Sequence, residues 1–338
     1  MDSKPTIDQI RQTADRLRPH LLETPLLPWC GQELLPRLSA DTEVLVKLEL
    51  FQHSGTFKAR GALANMLALS PDELQRGVTT VSAGNHAIAV AYAARALGSN
   101  ARVVMQNNAS PARVAAARAL GADVVMAEPG PPAFARAEAI AQTEGRSLIH
   151  PFEGPGVALG SGTLGLEMMQ QARSQSTALD AVIVAIGGGG LAGGVSTAVK
   201  QLQPDCQVFG VEPEGADTMH RSFAAGSPQT IDRIDTIADS LAPPMALPYS
   251  YGLCRDHIDH LIKVSDDAIC RAMGLMFRDL KLAVEPGGAA AVAALVESLA
   301  PRLRGRRVGV ICCGSNIDMD SFTRLIARGE ATREDNGD

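Results

Sequence analysis

Nine short apolar runs recur along this chain: "EVLVKLEL", "VTTVS", "RVVMQ", "DVVMA", "SLIHP", "AVIVAIG", "QVFGVE", "LIKVS" and "VGVICC". Most are separated by Ala- and Leu-rich stretches long enough for a crossover helix. Runs of this length read as buried strands, and helical spacers between them make the pairing parallel. The expected class is α/β, with two open, twisted, mostly parallel sheets flanked by helices.

A chain of 338 residues is long for one core, since single cores stop growing at about 250–300 residues. Between about Glu73 and Gly156 the units are compact: "NHAIAVAYAARALG", "SPARVAAARALG" and "PAFARAEAIAQTEG" each close near a glycine, as a helix C-cap does. Residues 73–156 therefore read as a small domain inserted into a larger one formed by residues 1–72 and 157–338.

Composition narrows the partners. A net charge of -6 with 4% aromatic residues leaves no basic stripe and few stacking platforms, which excludes nucleic acid as an expected partner. The N-terminus lacks a signal-peptide pattern and no run of 18 apolar residues occurs, so a cytoplasmic protein without membrane association is expected. The chain ends soon after its last strand, and control by an appended module is not expected. The six cysteines show no C-x-x-C pair and share no ligand spacing with histidine, so no zinc site is read. Cys312 and Cys313 are neighbours on a strand and face opposite sides. Five of the six are expected to be small buried hydrophobes.

Three stretches carry chemistry. In "HSGTFKARG", Lys58 sits among small and polar residues; a lysine amine in a partly dry pocket has a lowered pKa and attacks carbonyl carbon. In "AVIVAIGGGGLAGG" a buried strand runs through Gly187, Gly188, Gly189 and Gly190 into a helix beginning near Leu191, where backbone N–H groups and the helix dipole make a phosphate site. In "TTVSAGNHAIAVA" a second strand ends at Ser82, Ala83, Gly84, Asn85 and His86 before another helix, a turn able to hold a small carboxylate. Taken alone, this turn is also what a plain helix N-cap looks like.

The glycine loop has a competing reading. Gly188, Gly190 and Gly193 satisfy G-x-G-x-x-G, and Glu212 ends the next strand at the spacing of a ribose-binding acid, which fits a dinucleotide-dependent dehydrogenase. That reading leaves "HSGTFKARG" unexplained. A phosphate, an aldehyde for a lysine and an amino-acid carboxylate together describe pyridoxal 5'-phosphate and a small amino-acid substrate.

The motifs "SGTFKARGA", "SAGNHA", "GGGGLAGG", "VEPEGAD", "TIADSLA", "EPGGAAAVAAL" and "CCGSNID" occur in the order of the fold-type-II pyridoxal-phosphate enzymes, a fold like that of tryptophan synthase β. The chain most resembles the branch of threonine/serine dehydratases and serine racemases, from about Thr24 to Asp318. The resemblance implies that Lys58 forms the internal aldimine, Phe57 packs beside the ring, Asn85 bonds the ring hydroxyl, and Gly187–Gly190 with Leu191 hold the phosphate. It implies that Ser82, Ala83, Gly84, Asn85 and His86 bind the substrate carboxylate. Cys313 stands where the family has a serine facing the pyridine nitrogen. The implied activity is an ammonia-lyase reaction, dehydration and deamination of L-threonine, L-serine or a related 3-hydroxy amino acid to a 2-oxo acid. Relatives also imply a homodimer or homotetramer.

Several positions depart from the family. The resembling racemases carry a second acid/base serine where this chain has Ala83, which argues against racemisation as the main activity. Glu212 and Ala216 match two positions at which the family binds Mg2+ or Ca2+, but the third falls on Thr218, with Asp217 one residue off. Ser161 replaces a glutamine common in the dehydratases. Arg136 is about a turn from the position that contacts dicarboxylate substrates in some relatives. Glu285 is expected to face the ring edge or to cap the following helix, and His257 and His260 in "DHIDH" to form a surface pair on one helix face.

Overall fold

A computed structural model describes residues 3–82, 84–176 and 178–334. Its strands are β1 (Leu26–Pro28), β2 (Glu43–Leu48), β3 (Val78–Val81), β4 (Ala101–Gln106), β5 (Asp123–Ala127), β6 (Ser147–Leu148), β7 (Ala181–Ala185), β8 (Gln207–Pro213), β9 (His260–Val264) and β10 (Arg307–Cys312). They form a six-stranded sheet, ordered β1-β2-β10-β7-β8-β9, and a four-stranded sheet, ordered β5-β4-β3-β6. All pairings in both sheets are parallel except that of β1 with β2. The α/β class with two mostly parallel sheets is thus as the apolar rhythm predicts. Strand β1 lies outside that rhythm, because a three-residue strand ending in proline carries almost no pattern.

Every residue of β7, "AVIVA", is buried, because helices cover both faces of the larger sheet. The Pro155–Ser174 and Gly190–Leu202 helices approach so closely that a Cβ at Gly194 would lie 2.5 Å from the Ala158 carbonyl oxygen. Glycine at that contact fixes where the second helix starts, and hence where the loop before it stands. The smaller sheet has its own core, to which Ala62, Leu63 and Met66 of the Lys58–Met66 helix also contribute.

A buried ionic cluster lies beneath that helix. Lys47 on β2 is fully buried and donates to Glu167 Oε1 at 2.6 Å, Thr24 O at 2.7 Å and Gln171 Oε1 at 2.7 Å. Arg60 donates through Nε to Glu49 Oε1 at 2.5 Å and through Nη2 to Glu167 Oε2 at 3.0 Å. Charges out of water persist only when paired and hydrogen-bonded in this way.

One smaller expectation needs correction. His257 ends the Pro248–His257 helix while His260 opens β9, so they share no helix face. His257 bonds Leu253 O and Thr197 Oγ1, and His260 stacks on Phe209. Cys30 is exposed, since it follows the edge strand β1, whereas Cys206, Cys254, Cys270, Cys312 and Cys313 are buried free thiols. Among the described residues no helix is long and apolar enough to cross a membrane.

Candidate active site

The lysine is aimed by the segment before it. Thr56 bridges Gly314, and Phe57 N donates to Cys313 O at 3.1 Å, which pins the chain beneath the end of β10. The helix then begins at Lys58 itself. Two residues apart on a helix point away from each other, so Lys58 faces the cavity while Arg60 enters the ionic cluster. Lys58 Nζ donates to the Pro151 carbonyl at 2.5 Å and lies 5.1 Å from the centre of the Phe57 ring. Burial lowers its pKa from 10.5 to about 8, while Cys313 and Glu285 oppose the fall.

The glycine loop faces it. Gly189 has φ of +90°, a left-handed backbone that side chains rarely adopt. A Cβ at Gly188 would lie 2.3 Å from the Phe152 ring, and one at Gly190 would lie 2.5 Å from the Phe152 carbonyl oxygen. The Gly190–Leu202 helix opens here, so its first N–H groups have no intrahelical partner. Gly187–Leu191 line a small cavity together with Phe57, Lys58, Asn85, Glu285 and Cys313. The Cys313 thiol lies 3.4 Å from Gly287 O, and burial pushes its pKa well up, so it stays neutral.

The polar turn after β3 is held by one local bond and by bonds to distant elements. Ser82 Oγ accepts from Gly84 N at 3.1 Å. Asn85 Nδ2 donates to Glu285 Oε1 at 2.6 Å, and its Oδ1 accepts from Asn316 Nδ2 at 2.8 Å. His86 is buried with Nε2 3.1 Å from Ile149 O; a carbonyl only accepts, so that nitrogen carries the proton. Burial, reinforced by the charge of Lys58, pushes the His86 pKa down to about 3. The ring is neutral and its Nδ1 offers a lone pair. Ala83 lies outside the described residues.

A larger cavity of about 470 Å3 opens beside this turn. Its lining includes Lys58, Ser82, Asn85 and His86, the large apolar side chains Phe134, Phe152, Ile234, Met245 and Leu247, and the polar Gln106, Asn108 and Thr236. Phe134 and Ile234 are 37% and 42% exposed, large apolar side chains left open at the mouth. His150 meets Phe152 edge-on at 4.8 Å, and burial lowers its pKa to about 4.

Sequence reasoning does not single out Arg113 or Asp239. Arg113 Nη1 donates to Asp239 Oδ2 at 2.5 Å, Nη2 to Glu285 Oε2 at 3.2 Å, and Nε to Asn316 O at 2.9 Å. A Cβ at Gly84 would lie 2.7 Å from Arg113 Cδ, so the arginine stem lies on the carboxylate turn. Both residues fall inside conspicuous stretches, "SPARVAAARALG" and "TIADSLA", which are the available signal. Arg136 is exposed on the Pro131–Glu144 helix. Glu285 precedes the Pro286–Ala294 helix without capping it, and its carboxylate faces the site.

Glu212 is occupied by its own neighbourhood. Its Oε1 accepts from Met219 N at 2.7 Å, and its Oε2 accepts from His220 N at 2.8 Å and pairs with His220 Nδ1 at 2.7 Å. Ala216 lies buried in the short Glu214–Ala216 turn just before the Thr218–Ala225 helix. Among the described residues no group of three or more His, Cys, Asp or Glu is placed to hold a metal.

The family profile described as "Pyridoxal-phosphate dependent enzyme" matches residues 17–314. The chain is a pyridoxal-phosphate-dependent enzyme. It is 53% identical over 325 residues to phenylserine dehydratase of Ralstonia pickettii, covering 96% of this chain and 97% of that protein. Among solved structures it is similar to maize serine racemase, with a TM-score of 0.87 and 32% identity over 98% of this chain and 100% of the other. It is also similar to the processed form of threonine deaminase isoform 2 from Solanum lycopersicum, with a TM-score of 0.86 and 31% identity over 97% of this chain and 95% of the other. This pyridoxal-phosphate-dependent enzyme thus has fold type II, and the dinucleotide reading of the glycine loop falls away. Its residues fit the cofactor: a bare glycine cradle for the phosphate, and a desolvated lysine for the aldehyde.

Proposed function

We propose that the protein dehydrates and deaminates a 3-hydroxy amino acid whose β-substituent is large and apolar, a β-arylserine, to a 2-oxo acid and ammonia. The observation that carries this reading is the wall of Phe134, Phe152, Ile234, Met245 and Leu247 beside the carboxylate turn. The likeness to a protein named phenylserine dehydratase agrees with it. L-Threonine and L-serine, expected from the sequence, would leave that wall unfilled.

In this reading the glycine loop from Gly187 to Leu191 would hold the cofactor phosphate, Lys58 would meet its aldehyde, Phe57 would pack beside the ring and Asn85 would reach its hydroxyl. Cys313 would stand by the ring nitrogen, where a neutral thiol would not enforce protonation as a carboxylate would. Bound there, the cofactor supplies an electron sink for the bond broken at Cα. Backbone N–H groups of the 82–86 turn and the Ser82 hydroxyl take the substrate carboxylate, while His86, neutral and tied to Ile149, shapes the turn. The Lys58 amine would take the Cα proton, the Cβ–O bond would break, and the hydroxyl would leave as water with a proton returned from the Lys58 ammonium. The released enamine then takes up water and sheds ammonia. Racemisation would need a second proton carrier on the opposite face, and alanine at position 83 is not one. We also propose that residues 73–156 form a small inserted domain on the substrate side of a larger, cofactor-binding one.

Burying a phenyl-sized group is worth about 1.5–3 kcal/mol. That corresponds to about a 10- to 150-fold higher kcat/KM for a β-arylserine than for L-threonine. Coupled assay of 2-oxo acid release from a β-arylserine, L-threonine and L-serine tests this. No product from any 3-hydroxy amino acid would remove the reaction, and a preference for L-threonine would remove the aryl assignment alone.

A further inference from the structure

Among the described residues lining the larger cavity, those with charged side chains are Lys58, Arg113 and Asp239. Lys58 is committed to the cofactor, and His86 and His150 are held neutral by burial. Among these residues Arg113 is therefore the remaining cation that could meet a carboxylate on a substrate side chain. Asp239 occupies it: the pair is bidentate, with Arg113 Nη1 to Oδ2 at 2.5 Å and Nη2 to Oδ1 at 3.3 Å. The arginine side chain is 9% exposed and the aspartate 58%, so the aspartate reaches in from the solvent side to a guanidinium the protein has buried. Glu285 alone would leave Nη1 without a partner, because its Oε1 serves Asn85 and Ser240 and its Oε2 reaches Nη2 at 3.2 Å.

From this we infer that Asp239 is a specificity-determining residue: by neutralising Arg113 it denies the cavity a cation, and so excludes 3-hydroxy amino acids with an acidic side chain. This rests on the proposed β-elimination, and extends it from what the wall accepts to what it rejects. A carboxylate entering such a wall would be desolvated with no counter-charge and would face Asp239.

The test uses the holoenzyme and its Asp239→Asn and Asp239→Ala variants. The ratio of kcat/KM for 3-hydroxyaspartate to that for a β-arylserine should rise about tenfold or more in the variants, as a freed guanidinium gains a partner. The rise should vanish in the Asp239→Asn, Arg113→Met double variant. Binding of malate, a dicarboxylate without an amine, read as a shift in thermal midpoint, should appear in the single variants and be absent from the wild type. If Asp239 only clasps the two sheets together, both substrates lose rate in parallel and the ratio stays put, which overturns the inference. A gain that survives the loss of Arg113, or equal malate binding by wild type and variants, overturns it as well. Should the wild type transform no 3-hydroxy amino acid, the proposed reaction fails while the malate comparison still decides the role of Asp239.

Discussion

Lys58 combines a low-dielectric setting with a fixed aim. An amine with a pKa near 8 is partly neutral at neutral pH, and a neutral amine is what adds to an aldehyde. In the apoprotein, modification of Lys58 by an amine-selective aldehyde should therefore rise through about pH 8 rather than 10.5, as followed by peptide mass mapping. A midpoint at the ordinary lysine value would show that the amine is solvated. Lys58→Ala should abolish turnover while circular dichroism stays unchanged, since the side chain leaves the helix toward a cavity. Lys58 is legible in the sequence because the chemistry of its neighbours is local. Arg113 and Asp239 are not, because they are 126 positions apart and only the folded chain brings them together.

The Lys58–Met66 helix carries two unlike duties on opposite sides. Its first residue serves the cavity, and Arg60 joins Lys47, Glu49 and Glu167 in a dry ionic cluster. Replacing Arg60 with methionine keeps the bulk but leaves Glu49 and Glu167 with one cation between them. Such a loss costs about 3–5 kcal/mol. Urea unfolding should show it as a lower midpoint, and a stability within error of the wild type would mean that the cluster contributes little. The strands and helices themselves are readable from apolar spacing, as β5 and the Gly190–Leu202 helix show. The cluster is not, since "EVLVKLEL" read as a strand gives no sign of which distant charges meet its lysine.

Across the whole molecule, parallel sheets place the working turns after the C-terminal ends of their strands, Ser82–His86 after β3 and Gly187–Leu191 after β7. That arrangement is legible as strand, glycine or polar turn, then helix. The apolar part of the cavity lining is not, because Phe134 and Ile234 belong to separate stretches that only the folded chain brings to one cavity. Burial of His86 and His150 as neutral rings has a consequence for the entire fold. Their native pKa values, about 3 and about 4, lie below the unfolded value of 6.5, so the unfolded chain binds more protons as pH falls through 6.5. The histidine contribution is complete above 6.5 and is lost on acidification. Unfolding free energy of the apoprotein should therefore decline from about pH 6.5 to 5, before ordinary carboxylates titrate. A flat profile there would place water around both rings.

Phe134 comes from the smaller sheet's helices and Ile234 from the larger sheet's loops, so the gap between them is set by two bodies rather than one. On the proposed reading, a ring wide enough to touch both side chains would bridge the elements that carry them, and a slim side chain would reach neither.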